Sequence, residues 1–503
     1  MKERQRLLWR HYSFDVIPLE FISSVYEEFV TSSSAHYTPG FLVDFILDGV
    51  LPWNGEEWDL KILDPACGSG IFLVKAYQRL IQRWKNAHPG ETPGTPLLRK
   101  ILERNLFGVD IDPHAVRVAS FSLYLTMCDE VDPKNYLRNT KFPRLRGNRL
   151  VHSDFFVEGV DGFDTASDAG KYDLTIGNAP WGKDTITPAA ESWANSKEHN
   201  WDVANNAVGT LFMAKAAKLT KDAGRVSMIQ PASSLLFNTT GTTVRFRNKF
   251  FSEYSVSEVV NLSALRFELF GVARKASKST SPPCIVTFSP TPPDTERITY
   301  VCPKNAIAKE NFETSESTYA VVVEPSDVSW INRTECSDST VWTSLAWGGR
   351  RDLALIRKLS LFTSLKELED TQRIVTRRGV SRGESTQKRQ PAILDMPIVE
   401  NDDAIDLYSK YLPAAELPLN DDDLTHKADS VDMSAFALPQ LIVKQSWQKL
   451  TSRFKCLIVD SNAALGPVFC TRSYFSIHVR EDAAADVQLW NAANPHTYAG
   501  VEE

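Results

Sequence analysis

The sequence lacks the features of several common protein classes. No apolar run is long enough to cross a bilayer, and the N-terminal stretch MKERQRLLWRHYSFD is charged and aromatic, unlike a signal peptide. The seven cysteines are scattered, without a CxxC pair or a histidine nearby at ligand spacing. Structural zinc and a disulfide framework are therefore not expected, and a reducing cytoplasm is the expected location.

The sequence also lacks an excess of positive charge, because its 56 lysines and arginines are outnumbered by 63 aspartates and glutamates. The net charge is −7 and the isoelectric point about 5.8, which excludes a uniformly basic surface. Nucleic-acid binding would therefore need local basic patches. The 503 residues, 43% hydrophobic and 24% charged, fit a soluble globular protein of two or three domains.

Strand and helix patterns alternate over the first two-thirds of the chain. Amphipathic helices follow the early strands, as in IFLVKAYQRLIQRW and in the stretch that begins at Pro113. The predicted strands are Lys61–Ala66, Leu106–Asp110, Leu150–Phe155, Tyr172–Ile176, Gly224–Gln230, Ser257–Leu262 and Cys284–Phe288. This alternation predicts an α/β fold with a doubly wound, mostly parallel sheet covered by helices on both faces. Ligands of such sheets bind beyond the carboxyl ends of the strands.

Three of these strand ends carry unusual residues. In LDPACGSGIFL, Asp64 ends a strand, and Gly68 and Gly70 let the backbone turn tightly before a helix. The stretch has neither the P-loop pattern nor the spacing of a dinucleotide fingerprint, so it favours another nucleotide-like cofactor over a plain tight turn.

The next two strand ends supply acceptors. Asp110, in GVDID, is placed to accept hydrogen bonds from two ribose hydroxyls, whereas Asp112 before Pro113 suits a helix cap. In HSDFF, Asp154 could accept from an adenine amine while Phe155 covers a ring, or it could be an ordinary loop acid.

The stretch IGNAPWG, residues 176–182, follows a fourth strand. It predicts a rigid elbow that presents the amide of Asn178 and the ring of Trp181. An exposed tryptophan there would stack on a flat ligand; the alternative is a ring folded back onto the core.

The ordered set of motifs resembles the S-adenosylmethionine-dependent DNA adenine-N6 methyltransferases of restriction-modification and phage-defence systems, in the gamma arrangement. The motifs are HYTPGFLVDFIL at 36–47, LDPACGSGIFL, GVDIDPHAV, HSDFF and NAPW, and the later stretches 211–237 and 259–275 also look like the family. Weaker likeness continues through SLAWGGRRDLALIRKL and LPQLIVKQSW. The resemblance covers residues 15 to about 295 and implies a seven-stranded class I methyltransferase sheet. It also implies S-adenosylmethionine as cofactor, double-stranded DNA as substrate, and neither a metal nor a covalent nucleophile.

The resemblance assigns roles residue by residue. The cofactor residues it implies are Tyr37, Thr38, Pro39, Asp64, Ala66, Gly68, Gly70, Asp110, Ile111, Asp154 and Phe155. The active-site residues it implies are Asn178, Ala179, Pro180 and Trp181, with Trp181 and Phe270 stacking on a flipped base. For Phe270 a place in the core is the alternative.

The chemistry of an exocyclic amine fits these residues. Its lone pair is delocalised into the ring, so two acceptors, the Asn178 oxygen and a main-chain carbonyl, would favour a pyramidal nitrogen. Ala179 departs from the family, which usually has proline there. The carbonyl is kept, but the fixed φ is lost, at up to about 1 kcal/mol of unfolded-state entropy. We expect an active, less preorganised site.

The Pro-rich stretch FSPTPPD, residues 288–294, suggests the end of the catalytic domain. The predicted domains are a helical lead-in at 1–35, the methyltransferase domain at 36–295, an accessory segment or linker at 296–341, and a mixed α/β target-recognition region at 342–503. That region looks short and ends at GVEE, so we expect a fragment or one half of a split gene. Residues before His36 are too few for a fused nuclease.

Two basic clusters lie in the C-terminal region, at 376–389 and 444–455. Their arginines and lysines suit phosphate and groove contacts, with two solvated loops as the alternative. The predicted DNA-binding residues are Arg377, Arg378, Arg382, Lys444 and Lys449.

The sequence thus predicts a cytoplasmic, prokaryotic, site-specific DNA adenine methyltransferase, partnered by DNA and by defence-system or specificity subunits, without membrane or metal. One alternative is the same chemistry on cytosine N4, RNA or a peptide glutamine. The other is a non-catalytic DNA-binding subunit kept inactive by Ala179. Cytosine C5 chemistry would need a cysteine after proline near the elbow, and Cys284 opens a strand far downstream.

Overall fold

The chain divides into two units, Met1–Leu355 and Ile356–Glu503. The structure, a computed structural model, describes residues 38–131, 141–182, 185–270, 281–311, 316–380, 393–400, 417–420, 433–445, 456–459 and 466–480. Within those ranges no helix has the length and apolar character to cross a membrane.

One mixed sheet of nine strands organises the first unit, in the order β11-β8-β6-β7-β5-β4-β1-β2-β3. The strands are β1 (Ile62–Asp64), β2 (Leu106–Asp110), β3 (Leu150–His152), β4 (Tyr172–Asn178), β5 (Thr220–Pro231), β6 (Ser255–Asn261), β7 (Pro283–Ser289), β8 (Arg297–Val301) and β11 (Val328–Asn332). A separate antiparallel pair is formed by β9 (Asn305–Asn311) and β10 (Glu316–Val322).

The seven predicted strands are all present and adjacent in this sheet. β3, β2, β1, β4 and β5 run parallel to one another, and β7 lies antiparallel between β5 and β6. The sheet then exceeds the prediction by two strands, because β8 pairs with β6 and β11 pairs with β8. The carboxyl ends of β1, β2, β3 and β4 therefore meet at one edge.

Helices cover both faces of the sheet. In the first unit they are α1 (Gly40–Val50), α2 (Ile71–Ala87), α3 (Thr95–Asn105), α4 (Pro113–Asp129), α5 (Pro188–Asn195), α6 (Gly209–Leu219), α7 (Gly241–Glu253), α8 (Arg266–Phe270), α9 (Ser339–Trp347) and α10 (Arg350–Leu359, which runs into the second unit). Successive strand residues point to opposite faces, so Ile62 packs in the cluster with α2 and α4, and Leu63 in the cluster with α6 and α7. As predicted, Asp112 caps α4, accepting from the His114 amide.

The segment after residue 295 is part of the first unit. Its strands β8 and β11 extend the sheet, and α9 places Trp342, which is fully buried, in stacked contact with Phe251 at 5.5 Å between ring centroids. The predicted boundaries at 296 and 342 thus differ from the observed division after Leu355. The sequence pattern missed this because Trp342 is anchored by residues about ninety positions earlier.

The second unit is built mainly from strands in its described part. They are β12 (Ile374–Arg378), β13 (Ile398–Val399), β14 (Gln440–Lys444), β15 (Cys456–Val459), β16 (Phe469–Cys470) and β17 (Tyr474–Val479), with the helix α11 (Leu365–Asp370). Four of them form an antiparallel sheet in the order β12-β17-β14-β15. Its core packs Ile442, Leu457, Phe469 and Tyr474 together.

Candidate active site

The glycine turn after β1 lies at the carboxyl edge of the sheet. Gly68 and Gly70 have φ of +50° and +89°, the left-handed region that glycine adopts without strain. A Cβ built on Gly70 would lie 2.8 Å from the Cβ of Ala119 on α4, whereas one on Gly68 would meet nothing within 4 Å. The turn therefore packs against α4 on one side and is open on the other.

Asp64, the last residue of β1, is a buried acid. Its Oδ1 accepts from the Ala66 amide at 3.2 Å, while Oδ2 finds no hydrogen-bond partner within the described residues. Burial raises the pKa of Asp64 to about 8, against the lowering effect of the Ala66 amide and with a smaller contribution from the negative charge of Asp110. The site therefore favours a cation beside this carboxyl group.

Asp110, at the end of β2, joins the glycine turn to the next helix. Its Oδ2 accepts from the Gly68 amide and its Oδ1 from the Asp112 amide, both at 2.8 Å. Burial raises the pKa of Asp110 in spite of these two amides. Next to it Ile111 is 64% exposed, so an apolar side chain stands open beside the carboxylate.

The end of β3 brings Asp154 to the same edge, where its Oδ1 accepts from the Phe156 amide at 2.9 Å. Phe155 does not lie open. It is buried and stacks on Phe212 of α6 at 5.2 Å. The predicted adenine contact of Phe155 stays a prediction, and Ile111 is the more exposed apolar side chain of this edge.

The elbow after β4 holds its asparagine by way of the N-terminal motif. Asn178 Nδ2 donates to Thr38 Oγ1 at 3.0 Å, across 140 residues of sequence. Asn178 Oδ1 is buried and has no hydrogen-bond partner within the described part of the chain. Thr38 thus accepts from the donor group of the amide, and the acceptor oxygen keeps its lone pairs unused within the described residues.

Trp181 is not displayed on the surface. Only 1% of it is exposed, and it packs in the cluster that contains Ile176 and Ile229. Of the two alternatives that the sequence leaves open, the structure shows the ring folded back onto the core, where it makes apolar contacts along the sheet. Stacking of Trp181 on a base stays a prediction.

Glycine also lets the elbow approach β1. A Cβ on Gly177 would lie 2.7 Å from Asp64 Oδ1, so only a residue without a side chain fits between the two strand ends. Two acceptor oxygens that have no partner within the described residues, one on Asp64 and one on Asn178, are carried by the adjacent strands β1 and β4.

Several predicted residues lie wholly or partly outside the described residues: Tyr37, Arg382 and Lys449, and the side chain of Phe270 at the end of α8. Pro39 is buried just before α1, and Ala66 lies between Asp64 and the glycine turn.

The predicted DNA-binding residues that the structure describes lie on two strands of one sheet in the second unit. Arg377 and Arg378 are on β12, where Arg377 faces Glu369 at 3.5 Å and Arg378 Nε donates to the Arg472 carbonyl at 3.0 Å. Lys444 ends β14. β17 lies between those two strands.

Two polar side chains near the site were missed by the sequence prediction. Lys215 is fully buried on α6, with Nζ 2.8 Å from Glu158 and 5.1 Å from the centre of the Phe155 ring. Gln230 is fully buried near the end of β5. A polar residue that ends an apolar strand, as in VSMIQP, was the available signal for Gln230.

Two family models match the region that holds these strand ends. Residues 104–267 match the Eco57I restriction-modification methylase, and residues 57–146 match the DNA-methyltransferase domain of MmeI. Together the two matches span residues 57–267. The family resemblance that the motifs indicate is thus confirmed for this part of the chain.

The curated relatives are much longer than the segments of this chain that match them. The chain is 34% identical over 110 residues to the adenine-specific methyltransferase PglX of Streptomyces coelicolor. The match covers 20% of this chain and 9% of that relative. The chain is also 38% identical over 79 residues to the adenine-specific methyltransferase BrxX of Escherichia coli. That match covers 16% of this chain and 6% of the relative.

Solved structures are more distant. The type IIG restriction endonuclease BpuSI is 12% identical, with a TM-score of 0.45, over 92% of this chain and 55% of that one. The EcoKI M protein, from a type I restriction enzyme, is 12% identical, with a TM-score of 0.37, over 67% of this chain and 75% of that one.

Proposed function

We propose that the chain transfers a methyl group from S-adenosylmethionine to the N6 amine of an adenine flipped out of duplex DNA, in a restriction-modification or phage-defence system. The observation that carries the proposal is the open acceptor of Asn178, buried at the carboxyl edge of β4 and oriented by Thr38. The strand order of the seven central strands, with β7 antiparallel between β5 and β6, supports a class I methyltransferase fold.

The residues fit the cofactor. S-adenosylmethionine carries a sulfonium and an ammonium group, and the edge supplies Asp64, a buried carboxyl group with an oxygen that has no partner in the described chain. Space above Gly68 leaves room for a ligand against the turn. Asp110 keeps further lone pairs for ribose hydroxyls although both oxygens already accept one amide. Ile111 offers an apolar surface to the adenine.

The cofactor would supply an already activated methyl group on sulfur, so the protein mainly has to align the amine with it. Asn178 Oδ1 accepts one N–H of the amine, and the Ala179 carbonyl accepts the other. These two bonds draw the nitrogen lone pair out of conjugation with the ring, which stabilises the transition state more than the ground state. The low exposure of Asn178 Oδ1 excludes water that would compete for the same acceptor.

Extrusion of the base from the duplex is part of the proposal, because the amine cannot otherwise reach a buried acceptor. Trp181 and Phe270 would then contact the two faces of the base. Because Trp181 is packed in the core, we propose that the base contacts this ring only at the point where the base enters the site.

Duplex binding is proposed for the second unit. Arg377, Arg378 and Lys444 provide positive charge on one antiparallel sheet, in a chain whose net charge is −7. Phosphate contacts of this kind supply affinity that falls with salt. Specificity or other defence-system subunits are proposed as partners from the match to the restriction-modification methylases.

Replacement of Asn178 by alanine tests the function. We expect Asn178→Ala to lose at least about 100-fold in methyl transfer, as when one transition-state hydrogen bond is removed, while cofactor and duplex affinity stay near wild type. Mass spectrometry of digested DNA would measure N6-methyladenine and N4-methylcytosine separately, and calorimetry would measure cofactor binding.

The matched control is Asn148→Ala, an exposed asparagine of the same domain, which should methylate normally. Wild-type protein that binds cofactor and DNA but yields no methylated base would contradict the proposed function. N4-methylcytosine in place of N6-methyladenine would contradict the proposed substrate.

A further inference from the structure

Gln230 is a buried amide whose hydrogen-bonding capacity is unused. It is 0% exposed, and neither Oε1 nor Nε2 has a hydrogen-bond partner within the residues that the structure describes. Buried amides are seldom left this way in folded proteins, and each exception calls for an explanation. The unpaired amide is an energetic cost to the free fold, which a hydrogen bond made in a bound state would offset.

The position of Gln230 relates it to the elbow. Asn178 pairs with Ile229 across β4 and β5, so Gln230 is one residue further along and faces the other side of the sheet. Thr38 and the Asn178 amide thus lie on one face of the elbow, and Gln230 lies on the opposite face.

Gly209, the first residue of α6, brings Gln230 and the elbow together. A Cβ on Gly209 would lie 3.0 Å from the Pro180 carbonyl oxygen, 3.1 Å from Gln230 Oε1 and 3.8 Å from the Ala179 Cβ. The carbonyl and the carboxamide therefore border the same small space, which exists because residue 209 has no side chain.

The elbow needs support of this kind. Ala179 does not fix its own φ, as a proline would, so the direction of the carbonyls that follow Asn178 depends on contacts from the surrounding chain. A carboxamide can rotate about its last torsion at little cost and so can turn its N–H groups toward a nearby carbonyl.

We propose that Gln230 is a positioning residue of the active site: in the complex with DNA its Nε2 donates to the Pro180 carbonyl and fixes the elbow from behind. The Ala179 carbonyl and the Asn178 amide are then held in the geometry that receives the amine. This role rests on the proposed methyl transfer, and it assigns to Gln230 no contact with substrate or cofactor.

Two leucine variants test the role. Gln230→Leu keeps the size of the side chain and removes the amide, so we expect an unchanged or raised melting temperature, unchanged cofactor and duplex affinity, and a single-turnover rate of methyl transfer lowered about 10- to 100-fold. The matched control is Gln440→Leu in the second unit. Gln440 is equally buried, but its amide is bonded to Val468 and Ser476, so this variant should lose stability.

The pH dependence of the methyl-transfer rate distinguishes a positioning role of Gln230 from a role in packing alone. In Gln230→Glu the ionised carboxylate cannot donate, whereas the protonated acid can, so its rate relative to wild type at each pH should recover as the pH falls. A wild-type rate in Gln230→Leu, a fall in melting temperature as large as that of Gln440→Leu, or a pH-independent ratio for Gln230→Glu would each overturn the role. Wild-type protein that binds cofactor and DNA without transfer would instead overturn the proposed function, and this role with it.

Discussion

Asp64 is held where its own charge is unfavourable. It is 1% exposed at the end of β1, one oxygen has no partner in the described chain, and Gly177 closes the space beside the other. A residue chosen for stability alone would be neutral here, because a buried uncompensated charge is costly. Binding of a cationic ligand to the Asp64 carboxyl group would explain why an acid is buried at this position.

The stability of the protein should therefore depend on pH through Asp64. Its folded-state pKa of about 8 lies above the ordinary 3.8, so the folded chain binds the proton more tightly. The group's contribution to stability is fully present below about pH 4 and is lost as the pH rises to about 8. We expect the melting temperature of Asp64→Asn to rise relative to wild type across that window and to level off above it, and its cofactor affinity to fall.

Thermal unfolding from pH 5 to pH 9 measures this difference, and calorimetry measures cofactor binding. Asp222→Asn, at an exposed position of β5, serves as the control and should show no such trend. A melting-temperature difference for Asp64→Asn that is constant across the range would contradict the account of Asp64.

The residue types of the site could be predicted from the sequence, but their exposure could not. Asp64, Asp110, Asp154 and Asn178 all come at strand ends that meet at one edge, since chain order and parallel pairing already determine that edge. Whether a ring such as Trp181 or Phe155 is open or buried depends on contacts with distant segments, and here both are buried.

At the scale of elements, the turn between β1 and α2 has two glycines with different tasks. Gly70 precedes the helix, with φ of +89°, and touches Ala119 of α4. Gly68 has φ of +50°, donates its amide to Asp110 and faces open space. The first glycine permits helix packing, and the second permits a ligand to approach the backbone.

Alanine at the two positions should separate these tasks. Gly70→Ala adds backbone strain of about 1–2 kcal/mol and a clash with Ala119, so we expect a clear fall in the free energy of unfolding. Gly68→Ala adds strain without a clash, so it should lower the free energy of unfolding less than Gly70→Ala does. For the same loss of stability, it should weaken cofactor binding more than Gly70→Ala. Denaturant titration and calorimetry on both variants check the order, and a reversed order would assign the tasks the other way round.

The strands themselves were predicted well because each is a short apolar run ended by a turn or an acid. β2 was predicted with its observed bounds, and β1, β3 and β5 differ by a few residues at their ends, where hydrogen bonding rather than hydrophobicity decides the limit. β8 and β11 were not assigned to this sheet, because nothing local in them specifies a partner as distant as β6.

At the scale of the whole molecule, a few aromatic contacts attach α9 to the first unit and so extend that unit toward the C-terminus. Trp342 on α9 is fully buried, stacks on Phe251, meets Tyr300 edge to face at 5.6 Å, and donates from Nε1 to the Cys336 carbonyl at 2.8 Å. A chain that stopped at residue 341 would leave the apolar surfaces of Phe251 and Tyr300 without this cover. The unit therefore needs α9, although the sequence pattern suggested a boundary before it.

Truncation tests where the unit ends. We expect a fragment of residues 1–355 to unfold cooperatively and to bind S-adenosylmethionine with the affinity of the full chain, while a fragment of residues 1–341 loses about 3–5 kcal/mol, the usual effect of removing a buried tryptophan. Trp342→Ala in the full chain should show a similar loss, and Trp347→Ala, on the same helix but 70% exposed, should show almost none. Denaturant titration measures the free energy of unfolding of all four proteins.

Equal stability of the two fragments would mean that α9 is dispensable and that the unit ends before it. If only the longer fragment folds and it binds cofactor but not DNA, the duplex contacts belong to the second unit, as the basic residues of β12 and β14 suggest.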